Sequence, residues 1–254
     1  KITWKDQDNN IVDYDFVMEL GGKDDNHGIP ISFFETFWRR GSRHSKDKAR
    51  DDSGKLIPMR QTYPTARFLG ILSAGDFTKP AQELVKSRSI DLFYIPKKLI
   101  ISAWGKNGLE IDYPDNLPEQ DKKIIVSKIS SISVKEKLFK KIAKDLINNL
   151  GDSVINNYKS RLKNSISAPP ISYELTPIFV GKPIEFSRFE ETTKFLSKIS
   201  KNLENKSKDF DKKVIYKVIY GDGSIFIREN LSVEMATKIH ENVGNVQNHF
   251  EKLI

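Results

Sequence analysis

The sequence predicts a mixed α/β protein, an α+β arrangement in which β-hairpins open the chain, helices and strands then alternate, and a mainly helical half follows. Three observations carry that prediction. β-favouring runs bounded by polar turn clusters crowd the front of the chain, strand and helix periods alternate over the next stretch, and beyond about residue 130 apolar residues recur at helical spacing in a background rich in Lys, Ser and Asn.

Ile2 to Lys5 and Ile11 to Leu20 flank Asp6-Gln7-Asp8-Asn9-Asn10, a polar turn cluster, and read as a hairpin. A second hairpin joins the run Ile11–Leu20 to the aromatic, β-favouring run Ile31–Trp38. Its loop opens at Gly21-Gly22 and closes at Gly28-Ile29-Pro30. Ser42 to Asp52 is charged and helix-compatible, with Ser53-Gly54 as the expected stop. Phe68 to Ser73 has the apolar character of a buried strand and Ala74-Gly75-Asp76 turns the chain. Thr78 to Arg88 is an amphipathic helix, and Ile90 to Ile95 is a further strand ended by Pro96. The order β-β-β-α-β-α-β implies one mixed sheet.

In the second half, Ser133 with Glu136 has capping-box spacing, after which Leu138, Ile142, Leu146 and Leu150 form one helical stripe. Ser167 to Pro183, with Pro169-Pro170 and Pro177, is expected to be loop. Ser187 with Glu190 is a second capping box and opens a helix through Phe195, Leu196 and Ile199. Val214–Tyr220 and Ser224–Ile227 flank Gly221-Asp222-Gly223 as a hairpin. Ser232 then caps a last helix with Met235, Ile239, Val243 and Phe250 on one side. The expected division is residues 1–130 as one unit and residues 131–254 as a Lys-rich, mainly helical region containing one hairpin.

At 254 residues and 29.1 kDa the chain can bury a sizeable core. Its 38% hydrophobic and 30% charged residues exclude a disordered chain, and no apolar run approaches the ~20 residues that span a bilayer, so no membrane partner is expected. Lys and Arg number 42 against 34 Asp and Glu, a net charge of +8, which favours a polyanionic partner. Cysteine is absent, which excludes disulfides, thiolate metal sites and cysteine nucleophiles and fits a reducing compartment, so a cytoplasmic location is expected. Any metal must be held by oxygen or by one of four His.

Along Ile11–Leu20, alternation places Asp13, Asp15, Val17 and Glu19 on one strand face and Tyr14, Phe16, Met18 and Leu20 on the other. A hairpin closing about residue 25 pairs positions whose numbers sum to 50, and so sets Asp15 across from Glu35. Cross-strand partners have Cβ atoms about 4.5–5.5 Å apart, close enough for two carboxylates to share a metal ion. Glu35 lies within Ile31-Ser32-Phe33-Phe34-Glu35-Thr36-Phe37-Trp38, and a lone acid in such a run is expected to be paired or ligating. Pairing would fall to Arg39 or Arg40, with the aspartates facing solvent. Ligation suits Mg²⁺, which takes one or two carboxylates, waters and a substrate phosphate. From Arg39 to Arg50 six cations follow: Arg39, Arg40, Arg43, Lys46, Lys48 and Arg50. Such a run is either a solvated basic helix or a footprint for phosphate contacts. Arg60, Arg67, Lys79 and Arg88 are further cations, scattered along the chain.

An acid on one strand, a hairpin return, a second acid on the next strand, a basic helix and another strand resemble the PD-(D/E)xK nuclease superfamily. Asp15-Phe16-Val17, Phe34-Glu35-Thr36-Phe37-Trp38-Arg39-Arg40 and His44-Ser45-Lys46-Asp47-Lys48-Ala49 look like a type II restriction endonuclease, over about residues 2–100. The resemblance implies a restriction-endonuclease-like core and Mg²⁺-dependent hydrolysis of double-stranded DNA at a specific sequence by a homodimer, in a prokaryotic cytoplasm. Asp15 and Glu35 would then be catalytic metal ligands, with Glu19 helping to place a second ion. Arg40, Arg43, His44, Ser45 and Lys46 would contact DNA, His44 having a helix-cap role as its other reading. Residues 131–254 would serve DNA binding, specificity or dimerisation.

The sequence departs from the family pattern where the second acid should be followed two residues later by Lys, because Phe37 stands there. The missing cation would come from Arg39 on the strand or from Lys46 or Lys48 on the helix. Lys48 is favoured, since a lysine can shift its pKa beside a metal-bound water whereas arginine stays charged. Family cores also open with a helix ahead of the first hairpin, and the chain has no room for one before Ile2, so sequence upstream of Lys1 or another element is expected to supply it. The Asp13-x-Asp15 pair with Glu35 also suggests a nucleotidyltransferase, but no Gly-Ser turn and helix precede it. A non-catalytic basic nucleic-acid-binding module is the other reading.

Overall fold

The computed structural model describes residues 2–114, 116–131, 135–178, 180–203 and 213–253. Strands β1 (Ile2–Lys5) and β2 (Ile11–Tyr14) form the expected hairpin, with Asp6 accepting hydrogen bonds from the amides of Asp8 and Asn10 inside the turn. The run expected as one strand from Ile11 to Leu20 is two, because the chain bends at Asp15 before β3 (Phe16–Leu20). The bend resets the alternation: Tyr14 is fully buried and Val17 packs on the same core, whereas Phe16 and Met18 face outward.

β3 pairs antiparallel with β4 (Ile29–Arg39) in the expected register, Phe16↔Phe34 through Met18↔Ser32. The first sheet continues in parallel through β5 (Phe68–Gly75) and β6 (Asp91–Pro96), in the order β3-β4-β5-β6. Helices α1 (Ser45–Thr62) and α2 (Lys79–Ser87) make the two crossovers and cover the face that carries Phe33, Leu69 and Ile71. The opposite face, with Phe34, Phe68 and Phe93, packs on Tyr158 of α6 (Asp152–Ser167). Helices α3 (Lys97–Gly105), α4 (Glu119–Ser130) and α5 (Lys135–Leu150) come between β6 and α6, and α5 packs on α3. Of the expected α5 stripe, Ile142 is the buried member, and Ser133 lies outside the described residues.

Helix α1 does not stop at Ser53-Gly54. It runs on past Pro58 to Thr62, because Ala49, Leu56 and Met59 are fully buried in the core and the Ser53 hydroxyl is spent on the Ala49 carbonyl at 2.6 Å. That burial outweighs the ~1 kcal/mol that a helical glycine costs.

The expected loop Ser167–Pro183 contains a strand, β7 (Pro170–Pro177), flanked on both sides by partners. Its two prolines sit at the ends, where a missing N–H costs least. The C-terminal region therefore holds a four-stranded antiparallel sheet, not one hairpin. Strand β8 (Ile184–Phe186) and the expected hairpin β9 (Lys213–Tyr220) and β10 (Ile225–Ser232) complete it, in the order β10-β9-β7-β8. Helices α7 (Phe189–Leu203) and α8 (Val233–Glu251) bury Leu196, Ile199, Ile239 and Val243 against Leu175, Tyr216 and Val218. Ser232 caps α8 as expected, its hydroxyl accepting from the Met235 amide at 3.1 Å. The second sheet meets the first where the Arg67 guanidinium lies 3.8 Å from the Tyr220 ring centre and Tyr220 donates to the Pro64 carbonyl at 2.8 Å. Among the described residues no helix is long and apolar enough to cross a membrane.

Candidate active site at the β3–β4 pair

Glu35 stands midway along β4, on the same face as Phe33 and Phe37, and is only 4% exposed. Its Oε1 is buried and accepts no hydrogen bond. The nearest cation is Lys55, whose Nζ lies 3.6 Å from that oxygen. Burial pushes the Glu35 carboxyl up to about 7, with Asp52 and Asp15 adding to the rise and Lys55 opposing it.

Asp15 occupies the bend, one residue beyond the last β3–β4 pair, which leaves it beside Glu35. Its Oδ2 accepts from the Thr36 amide at 2.8 Å and from the Thr36 hydroxyl at 3.0 Å. The residue after one acid thus fixes the other. Tyr14, between Asp13 and Asp15, is fully buried and donates to the Lys55 carbonyl at 2.7 Å, which ties β2 to the middle of α1. Asp13 faces the same lysine, 3.7 Å from its Nζ.

The favoured cation of the sequence analysis, Lys48, is committed elsewhere: its Nζ is 2.6 Å from Asp52 Oδ1 and 5.5 Å from the Phe37 ring centre. Asp52 is fully buried, its other oxygen without a hydrogen bond, and burial raises its pKa against the pull of Lys48. Lys48, Asp52 and Lys55 share one side of α1, at i, i+4 and i+7. The expected helix stop at Ser53-Gly54 left Lys55 off the helix and so hid its place beside Lys48 and Asp52.

Other expected site residues are placed less centrally. Glu19 pairs with Pro30, five residues or roughly 16 Å along β4 from Glu35, and its carboxylate accepts from the Gly28 amide at 2.6 Å and faces His27. Arg39 follows Phe37 on the Glu35 face, its carbonyl accepting from the Asp76 amide. Arg40 stacks on Tyr113, 3.8 Å from the ring centre, and donates to its carbonyl. His44 is the left-handed N-cap residue of α1, makes no side-chain cap hydrogen bond and faces the Asp47 carboxylate at 3.2 Å. Ser45 is buried and donates to the Ser42 carbonyl at 2.6 Å. Arg43 and Lys46 are exposed beside it.

Among the described residues no three His, Asp or Glu side chains are grouped to hold a metal ion. The pair Asp15 and Glu35 offers hard oxygen donors, one of them buried without a hydrogen bond, and this fits a cation that takes two carboxylates and completes its shell with water and phosphate. No protein-family model, curated protein or solved structure matches the chain.

Proposed function

We propose that the chain is a Mg²⁺-dependent endonuclease that hydrolyses phosphodiester bonds in double-stranded DNA, with a restriction-endonuclease-like core of the PD-(D/E)xK kind formed by β3, β4, α1 and β5. The observation that carries this reading is the meeting of Asp15 and Glu35 across the β3–β4 pair beneath the lysines of α1. Recognition of a specific sequence by a homodimer, as in a type II restriction enzyme, belongs to the same proposal.

Bound Mg²⁺ would neutralise charge on the scissile phosphate and acidify a water. Asp15, held by its two bonds from Thr36, and Glu35, fixed by the sheet, would supply its protein ligands. Lys55 takes the role of the missing strand lysine. Its ammonium offsets the acidic pair and donates to an attacking water or to a phosphate oxygen as negative charge builds. Lys48 pairs with buried Asp52 at 2.6 Å and opposes the rise that burial imposes on its pKa. Arg43 and Lys46, exposed at the start of α1, are placed to meet backbone phosphates. Burial raises the metal-free Glu35 carboxyl to about 7, so Mg²⁺ would compete with its proton and bind more tightly as pH rises.

Phe37 in the lysine slot favours a second reading, a non-catalytic nucleic-acid-binding module. Incubation with mixed-sequence plasmid in Mg²⁺ or EDTA separates the two. Discrete Mg²⁺-dependent fragments, lost in Asp15→Ala and Glu35→Ala while both variants still bind DNA, support the endonuclease. Binding without cutting under any divalent metal leaves the module.

A further inference from the structure

A second cluster of cations lies away from the carboxylates. Where β5 and β6 begin, α1, α2, α6 and the β9–β10 turn enclose a groove of about 780 Å³ lined by Arg60, Arg67, Lys86 and Arg161 with two acids, Asp91 and Asp222. Arg60 follows Lys55 by five residues, about 140° around α1, so the groove opens on the other side of that helix from Glu35.

The two acids are already taken. Arg161 forms a bidentate pair with Asp91, at 2.8 and 2.9 Å, and Arg67 lies 2.6 Å from Asp222. Arg60 and Lys86 remain. Lys86 is exposed and makes no ion pair among the described residues. Arg60 donates to the Ser89 carbonyl at 2.6 Å, and burial lowers its pKa with no acid opposing the shift. Each stands in the last turn of its helix, where the helix dipole favours a cation. A half-buried guanidinium that lines a groove with no carboxylate against it keeps N–H donors for a ligand.

We propose that this groove is a second anion site, separate from the carboxylate pair, that takes a phosphate-bearing ligand through Arg60 and Lys86, with Arg161 held ready by Asp91. Guanidinium groups fixed on one side present their remaining N–H donors in the fork that matches phosphate oxygens. The phosphate belongs either to a nucleic-acid backbone or to a free polyphosphate such as a nucleotide.

The test is thermal unfolding of the full chain in tripolyphosphate against NaCl of equal ionic strength. The wild type should gain several degrees, and Lys86→Ala and Arg60→Gln should each lose at least half of that gain. Arg43→Ala/Lys46→Ala, which removes exposed cations elsewhere on α1, should keep it. Midpoints without ligand verify that Arg60→Gln folds, and exposed Lys86→Ala reads the site independently. No gain beyond NaCl, an equal gain in all variants, or an equal loss in the Arg43/Lys46 variant overturns the proposal. A labelled duplex in EDTA then separates the sources. Competition by tripolyphosphate, with a salt slope reduced by about 1 in Lys86→Ala, identifies backbone phosphate. Duplex binding untouched by tripolyphosphate assigns the groove to a free polyphosphate.

Discussion

The two four-stranded sheets bury polar groups in opposite ways. Under the first, Glu35 Oε1, Asp52 Oδ2 and the hydroxyls of Ser32 and Ser73 are buried without a hydrogen bond. Under the second, the buried imidazole of His240 meets the Tyr216 hydroxyl at 3.0 Å, the Phe189 carbonyl at 3.0 Å and the Thr193 hydroxyl at 3.2 Å, and among the described residues no buried polar side-chain atom of that core lacks a partner. Each unmet group costs about 1–3 kcal/mol, so a core that keeps several is shaped by something other than stability. The second core is fully paired among the described residues; the first contains the carboxylate pair on which the proposed function rests.

The comparison breaks most visibly at the carboxylates. Asp15→Ala or Glu35→Ala should lower cleavage by about a thousandfold or more, with the melting temperature unchanged or raised in Glu35→Ala and lowered in Asp15→Ala, which loses both bonds from Thr36; plasmid assays and calorimetry check the two together. Unchanged cleavage would end the distinction between the cores. The two lysines of α1 should part company next. Lys55→Ala should cost about a hundredfold in rate with little loss of stability, whereas Lys48→Ala should cost about 3 kcal/mol of stability because it strands buried Asp52. Denaturant titration reads the second, and equal stability losses would remove the contrast.

pH moves the two cores in opposite directions. His240, stacked on Phe189 and buried, has its pKa lowered to about 4, burial being the main cause. It binds its proton more readily when unfolded, so its contribution is complete above the ordinary value of 6.5 and is lost as pH falls towards 4, by roughly 2–3 kcal/mol. Glu35 has the opposite sign. Its raised pKa lets the folded state hold a proton that the unfolded chain releases, so stability falls as pH rises from 4.5 to about 7. Glu35→Gln should therefore gain about 1–3 kcal/mol at pH 8 and nothing at pH 4. Unfolding midpoints at both pH values for Glu35→Gln and His240→Asn decide it. The smallest effect tests packing in the supporting core: a Cβ at Gly244 would lie 2.4 Å from the Phe189 ring, so Gly244→Ala should cost about 1–2 kcal/mol with cleavage untouched.

Much of this was legible in the sequence. Both front hairpins, the register that sets Asp15 beside Glu35 and the Ser232 cap rest on local signals: turn residues, alternation and a side-chain cap. What failed was long-range. The bend at Asp15 is dictated by Tyr14 reaching the Lys55 carbonyl, the passage of α1 through Gly54 and Pro58 by the burial of Leu56 and Met59, and β7 chiefly by β9, which arrives some forty residues later. The shortened helix then concealed Lys55, so a local propensity error became an error about the site.

The bond from the Thr36 amide to Asp15 gives the protein an indicator of its own. That proton is held by a carboxylate rather than by a neighbouring strand, so its chemical shift follows the charge on Asp15 and not the integrity of the sheet. In a two-dimensional amide spectrum the Thr36 resonance should move on titration with Mg²⁺ while its neighbours Phe34 and Phe37 stay in place. One peak would thus report occupancy of the carboxylate pair with no DNA in the tube.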